Sequence, residues 1–347
     1  MNLTKAFNTI QSHADADPVA VKEARARRDL FRNALPTEDD VVEVVPSGSL
    51  ARSTQRDPLN DVDVIVIYDA DAHLEWGAAG DSAAAALNHA REQIHRLLGA
   101  TDGTFAQVVR LASPRNHAVK CFLDAPNAEG AFTVDAMPAL RQSRGGLLVP
   151  EKRSEIWVRT DPEYLIAEVA RRQAAWDQFR PLVRLLKYWN DANGKLMKSL
   201  VVEVLALTCL PAEGSRPRAL QRFFSSAGYE IDRGVRDPAG ICGEIQPDLD
   251  RDAARDLLDE AASHAWKAIN AQDAGDTDEA ACHWRKVFGE NFPEPEGGCP
   301  SDGDGDANGG AHFNIGTGAG AAAGAGADKP NELTKPKKRK VINAPQG

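Results

Sequence analysis

Three carboxylates and one small turn are the residues whose types and spacing could do chemistry. Asp61 and Asp63 stand two apart in the run Asp61-Val62-Asp63-Val64-Ile65-Val66-Ile67-Tyr68, and Asp135 closes a later run, Ala131-Phe132-Thr133-Val134-Asp135. Side chains alternate faces along a strand, so Asp61 and Asp63 point the same way. Adjacent carboxylates repel each other, and a divalent cation removes the repulsion. Magnesium takes oxygen ligands and binds through one or two carboxylates together with substrate phosphates. A third carboxylate on a neighbouring strand completes a two-metal site, whose ions, about 4 Å apart, serve the attacking and the leaving oxygen. Ahead of them, Gly48-Ser49 offers a backbone that can approach a phosphate closely, and a hydroxyl near a helix start that favours anions. Gly48-Ser49 alone reads as an ordinary loop, and Asp61-x-Asp63 alone reads equally well as strand-edge charge. The ordered set of all three, between β-branched segments, favours catalysis.

The elements that must position these residues follow from periodicity. Leu3 to Leu35 reads as two helices, the second after Pro18. Strands are expected at Val41–Val45, Asp61–Tyr68, Phe105–Arg110, Ala118–Leu123 and Ala131–Asp135. A short polar helix or turn is expected over Leu50–Gln55 and a helix over Ser82–Leu98. The second half is helical. Asp161 to Asn193 holds one or two helices that stop at Asn193-Gly194. Lys198–Leu210 is nearly all apolar and reads as buried. Asp250–Ala271 and Asp276–Phe288 are amphipathic, with acidic first turns. After Phe292-Pro293 the composition shifts to Gly, Ala, Asp and Asn. Such a stretch cannot bury enough surface to offset its ordering entropy. The expected organisation is a catalytic lobe with N-terminal helices over 1–160, a helical lobe over 161–293, and a disordered Gly/Ala-rich tail with a basic end over 294–347.

The chain has 347 residues, a net charge of −10 and an apolar fraction of 42%. That charge argues against a non-specific grip on long nucleic acid, which needs a basic surface. No apolar run approaches the roughly 20 residues of a membrane helix, and Met1 to Asp15 has no secretory character. A soluble, cytoplasmic protein with no membrane partner is expected. The five cysteines lie far apart with no CxxC, and read as structural thiols in a reducing compartment. The histidines show no ligand spacing. Trp157, Trp176, Trp189, Trp266 and Trp284 sit on helical or apolar patterns and read as core.

The stretch Ser47-Gly48-Ser49-Leu50-Ala51-Arg52-Ser53-Thr54, then Asn60-Asp61-Val62-Asp63, resembles the nucleotidyltransferase signature of the polymerase-β superfamily. Arg184-Leu185-Leu186-Lys187-Tyr188-Trp189-Asn190 and Lys198-Ser199-Leu200-Val201-Val202-Glu203-Val204-Leu205 resemble the helical half of CD-NTases, the family of bacterial relatives of cyclic GMP–AMP synthase and oligoadenylate synthase. Asp237-Pro238, Trp284-Arg285-Lys286-Val287-Phe288-Gly289 and Phe292-Pro293 are similar to that family too. The resemblance covers about Leu3 to Pro293. It implies an α+β fold, with a polymerase-β-like nucleotidyltransferase core (mixed β-sheet with helices) plus a C-terminal helical lobe. It implies two Mg2+ ions, with Mn2+ as the alternative, Asp61 and Asp63 binding both and Asp135 binding one and helping to deprotonate a ribose hydroxyl. Gly48 and Ser49 would meet the triphosphate, and Lys187 and Ser199 the donor phosphates. Leu200 stands where some relatives carry an aromatic residue for base stacking. The implied reaction joins NTPs into a cyclic di- or trinucleotide with release of pyrophosphate, in antiphage defence. The alternative is another transferase of the superfamily, adding AMP to a protein, an RNA end or a small molecule. The resemblance also implies a ubiquitin-activating-like and conjugating-like partner that joins the C-terminal Gly347 to a target.

Overall fold

Strand β2 (Asp61–Tyr68) is buried on both faces from Val64 onward, which its β-branched sequence suits. It is the second strand of a seven-stranded sheet in a computed structural model that describes residues 1–99 and 107–300. The order is β1 (Val41–Ser47), β2, β5 (Thr133–Arg141), β4 (Val119–Phe122) and β3 (Leu111–Pro114). β6 (Leu147–Glu151) pairs with the far end of β5 and with β7 (Ile156–Thr160). β1 runs antiparallel to β2, and β5 runs parallel to it. Val62, Val64, Val66 and Tyr68 share one face and form a core with Phe31 of α2 (Pro18–Ala34) and Leu87 and Ile94 of α4 (Ser82–Leu98). Ile65 and Ile67 face the other way, onto Ala139, Leu147 and Val149. By the same alternation Asp61 and Asp63 share this second face, at the end the apolar cluster leaves open.

The second half holds α5 (Pro162–Ala175), α6 (Phe179–Ala192), α7 (Ser199–Cys209), α8 (Arg216–Arg233), α9 (Arg251–Asp273) and α10 (Thr277–Phe288). Asp161, Asp250 and Asp276 each accept the N–H three residues on, which starts α5, α9 and α10 where the sequence placed them. Trp189, Phe223, Phe224 and Trp284 fill one core.

Several expectations need correction. α1 (Leu3–Ala14) does not join the catalytic lobe. Its Phe7 ring lies 5.2 Å from both Trp284 and Phe292, so its apolar face completes the helical lobe's core. The strand expected over Phe105–Arg110 begins instead at Leu111, where pairing with Phe122 starts, and residues 100–106 lie outside the described residues. β6, β7 and α8 had no counterpart in the expected elements. Trp266 is 59% exposed on α9. Cys282 and Cys299 are joined in a disulfide, because the chain after α10 folds back on that helix. Cys121 and Cys209 are buried thiols, and Cys242 is an exposed one. The described chain runs beyond Pro293 to residue 300, with Pro295 buried and Cys299 N donating to Glu294 Oε1 at 3.1 Å. The rest of the expected tail, Gly347 included, lies outside the described residues. No helix among those residues is long and apolar enough to cross a membrane.

Candidate active site

Strand register brings the three carboxylates together. Parallel pairing sets Asp63 beside Asp135 and Asp61 beside Thr133. Antiparallel neighbours set Ser47 of β1 beside Asp63 and Lys120 of β4 beside Asp135. Side chains at paired positions share a face and adjacent strands are roughly 4.8 Å apart, so the carboxylates converge at one sheet end. Burial pushes the Asp63 carboxyl up to about 6, and the charges of Asp61 and Asp135 push the same way against Arg52 and Lys120. Burial also raises Asp135; Lys120 and Arg115 oppose the shift while Asp61 adds to it. Asp135 Oδ1 is buried and accepts no hydrogen bond among the described residues. An all-oxygen cluster whose Asp63 and Asp135 are desolvated, with mutual repulsion and an unsatisfied oxygen, fits a divalent cation of the magnesium type.

Gly48 opens α3 (Gly48–Arg52) with a φ of +69°, and a β-carbon there would lie 1.7 Å from Asp63 Oδ2. Only a glycine lets this turn close over the carboxylate. Ser49 follows, partly buried, its carbonyl accepting Thr54 N at 3.0 Å. α3 is tied to the helical lobe by a buried charge network. Arg52 donates to Glu203 on α7 through Nε at 2.6 Å and Nη2 at 3.1 Å. Lys187 on α6 donates to the same carboxylate and, at 3.1 Å, to Thr54 O. Burial alone would raise Glu203, but Lys187 and Arg52 outweigh it and hold the carboxyl at about 2. Burial lowers Lys187, against the pull of Glu203.

The predicted residues therefore fall into groups. Asp61, Asp63, Asp135, Gly48 and Ser49 assemble at one place. Lys187 is 4% exposed, with its ammonium on Glu203 and Thr54 rather than in the open cleft. Ser199 is exposed at the start of α7, and Leu200 beside it lines a cleft of about 460 Å³ that also takes in Gly48, Asp63 and Met137 from the sheet side. Asp237 and Pro238 line the same cleft. Asp237 Oδ2 accepts Ile241 N at 3.1 Å and Cys242 N at 2.9 Å, and so shapes the wall that continues to Ile245. The stretch Thr160–Pro162 and the loop from Cys242 to Ile245 were missed as cleft residues. Their sequence carries turn formers and no reactive pattern, so only the Asp237-Pro238 pair pointed towards them.

Residues 1–172 match the family model of the Second Messenger Oligonucleotide or Dinucleotide Synthetase domain, SMODS. This chain is a CD-NTase. A probable cyclic nucleotide synthase of Bacillus cereus is 23% identical over 326 residues, covering 83% of this CD-NTase and 97% of the relative. A cyclic AMP-AMP-AMP synthase of Escherichia coli MS 115-1 is 26% identical over 291 residues, 72% of this chain and 83% of that one. Among solved structures, Escherichia coli MS115-1 CdnC in complex with HORMA-deltaN aligns with a TM-score of 0.63 at 20% identity, over 82% of this chain and 98% of its own. Bradyrhizobium diazoefficiens CdnG in complex with GTP aligns with a TM-score of 0.61 at 13% identity, over 84% and 96%. The expected fold, a mixed nucleotidyltransferase sheet with a C-terminal helical lobe, is the fold of these proteins, and this CD-NTase is a nucleotidyltransferase.

Proposed function

We propose that this CD-NTase joins nucleoside triphosphates into a cyclic di- or trinucleotide, releasing pyrophosphate, as a signal in antiphage defence within the cytoplasm. The observation that carries the reading is the convergence of Asp61, Asp63 and Asp135 beside Gly48, at a cleft walled on its far side by the helical lobe. Asp61 and Asp63 would hold two Mg2+ ions, or Mn2+ in their place, and Asp135 would hold one. Bound ions of this kind stabilise charge on the attacking and leaving oxygens. The protein's own groups do the rest. Asp135 accepts the proton of the attacking ribose hydroxyl. That oxygen bonds to the α-phosphorus as the bond to the pyrophosphate oxygen breaks. Gly48 lets the backbone meet the triphosphate, and Ser49 donates to it. Ser199 reaches the donor phosphates from the exposed start of α7, and Leu200 packs on the face of a base. Lys187 serves the donor indirectly, by holding Glu203 and through it α3. A ubiquitin-activating-like and conjugating-like partner acting on Gly347 would control output, and deleting Gly347 should then abolish higher-mass adducts in cells carrying such partners.

Incubation of the protein with magnesium and four labelled NTPs tests the reading. Small products resistant to phosphatase are expected, and their masses give bases and ring size. Label on a macromolecule instead would point to AMP transfer.

A further inference from the structure

A second cluster lies on the opposite face of the sheet from the catalytic carboxylates. Asp40 immediately precedes β1, His73 sits in the turn after β2, and His89 stands on α4. Their spacing in sequence gives no ligand motif, yet the fold aims both imidazoles at one oxygen. His73 Nε2 lies 2.9 Å and His89 Nε2 2.6 Å from Asp40 Oδ2. All three candidate ligand atoms lie within 4.8 Å of one another.

The surroundings fix this arrangement. Asp40 Oδ1 accepts Gln93 Nε2 at 2.7 Å, and Gln93 Oε1 in turn accepts the Tyr68 hydroxyl at 2.7 Å. Gln93 and Tyr68 are each 2% exposed, so this relay has no freedom to rotate away. The His73 ring is stacked on buried Trp76, with centroids 3.8 Å apart and planes 15° apart. One carboxylate oxygen is thus held by an amide while the other is presented to two oriented imidazoles.

We propose that Asp40, His73 and His89 form a zinc site. Two imidazole nitrogens and one carboxylate oxygen are a zinc-type donor set, unlike the all-oxygen set at Asp61, Asp63 and Asp135. Zinc bonds of about 2.1 Å place tetrahedral ligand atoms roughly 3.4 Å apart, so each imidazole nitrogen needs to move away from Asp40 Oδ2 by less than about 1 Å. Both rings then carry their proton on Nδ1 and turn an unprotonated Nε2 to the metal. Three protein ligands leave a fourth position for water. The ion joins the start of β1, the turn after β2 and α4, and so braces the strand that leads into Gly48. Tyr68 and Asp63 are five residues apart on β2, roughly 17 Å of strand, and face opposite sides, so this site does not share ions with the catalytic one.

The test uses the untagged full chain and its Asp61→Asn/Asp63→Asn variant. Both are dialysed with Zn2+, then assayed for retained metal, melting temperature and, with Co2+ substituted, visible absorption. One equivalent of tightly held metal is expected in both proteins, with a tetrahedral nitrogen/oxygen cobalt spectrum and a melting temperature raised by the metal. His89→Gln, at the most exposed of the three positions, should lose the metal and the shift while keeping its helical circular dichroism. Failure of the wild type to retain metal, retention undiminished in His89→Gln, or a cobalt spectrum with thiolate charge transfer overturns the proposal. Should His89→Gln not fold, the cobalt spectrum of the other two proteins still decides.

Discussion

A β-carbon on Gly48 would fall 1.7 Å from Asp63 Oδ2, so Gly48→Ala must displace either the carboxylate or α3. The strained backbone costs only about 1–2 kcal/mol, which a folded domain survives. Activity should fall by at least 100-fold while the melting curve stays cooperative. Steady-state rates beside calorimetry check this, and a variant within a few-fold of wild type would contradict the placement of Asp63. The carboxyl of Asp63 carries a pH consequence as well. Raised to about 6 in the fold, it binds its proton more tightly there than in the unfolded chain. Its contribution to stability is therefore full below about pH 4 and lost as pH rises through about 6. In chelator, raising the pH across that window should lower the wild-type melting temperature more than that of Asp63→Asn. Equal slopes would mean that Asp63 is not desolvated. These carboxylates were legible in the sequence because alternation along a strand fixes facing without tertiary knowledge.

Elements were legible where periodicity and helix-end signals were local. α4, α9 and α10 lie within a residue or two of expectation, and in the fold Asp250 and Asp276, expected inside the acidic first turns, stand as the caps of α9 and α10. β6 and β7 were not legible. β7 shows no buried/exposed alternation, and β6 contains Pro150, which cannot donate to a ladder. The link between α3, α6 and α7 was also hidden, because Arg52, Lys187 and Glu203 meet only in three dimensions. Lys187 consequently reads as a phosphate ligand in the sequence and as a buried ion-pair partner in the fold. Glu203→Gln leaves Arg52 and Lys187 charged and uncompensated inside, and should cost roughly 3–5 kcal/mol, read from denaturant unfolding. Lys187→Ala should lower the melting temperature while changing NTP affinity little. Lost affinity at unchanged stability would put the ammonium on the donor after all. Between α9 and α10, His264 and His283 approach through Nδ1 atoms 3.4 Å apart. Burial lowers both, with Lys267 and Lys286 acting in the same sense and Glu260 and Glu279 opposing. Groups depressed in this way stay neutral in the fold, so their contribution is present above about pH 6.5 and lost as pH falls below that, through their depressed values. His283→Gln should make the protein less acid-sensitive, and an unchanged acid midpoint would count against the pair.

At the scale of the molecule, the sheet presents three converging carboxylates on one side of a cleft and the helical lobe supplies the other wall. The division into a sheet half and a helical half could be read from the switch in hydrophobic period, but the crossing of α1 into the helical core could not, since which core an amphipathic helix joins is not written in its own pattern. The cleft joins Gly48 and Asp63 to Leu200 and Asp237, with more than a hundred positions between the two pairs, so its walls depend on both halves being held together. Magnesium-dependent release of pyrophosphate from NTPs, measured for the wild type and for Asp61→Asn/Asp63→Asn, tests the account most directly. Losing about 4 kcal/mol of charge stabilisation corresponds to roughly 1,000-fold in rate. The account predicts release that saturates with magnesium, stops with chelator and falls by that factor in a variant that remains folded. Release that continues in excess chelator, or that survives at more than a trace in the variant, would contradict it.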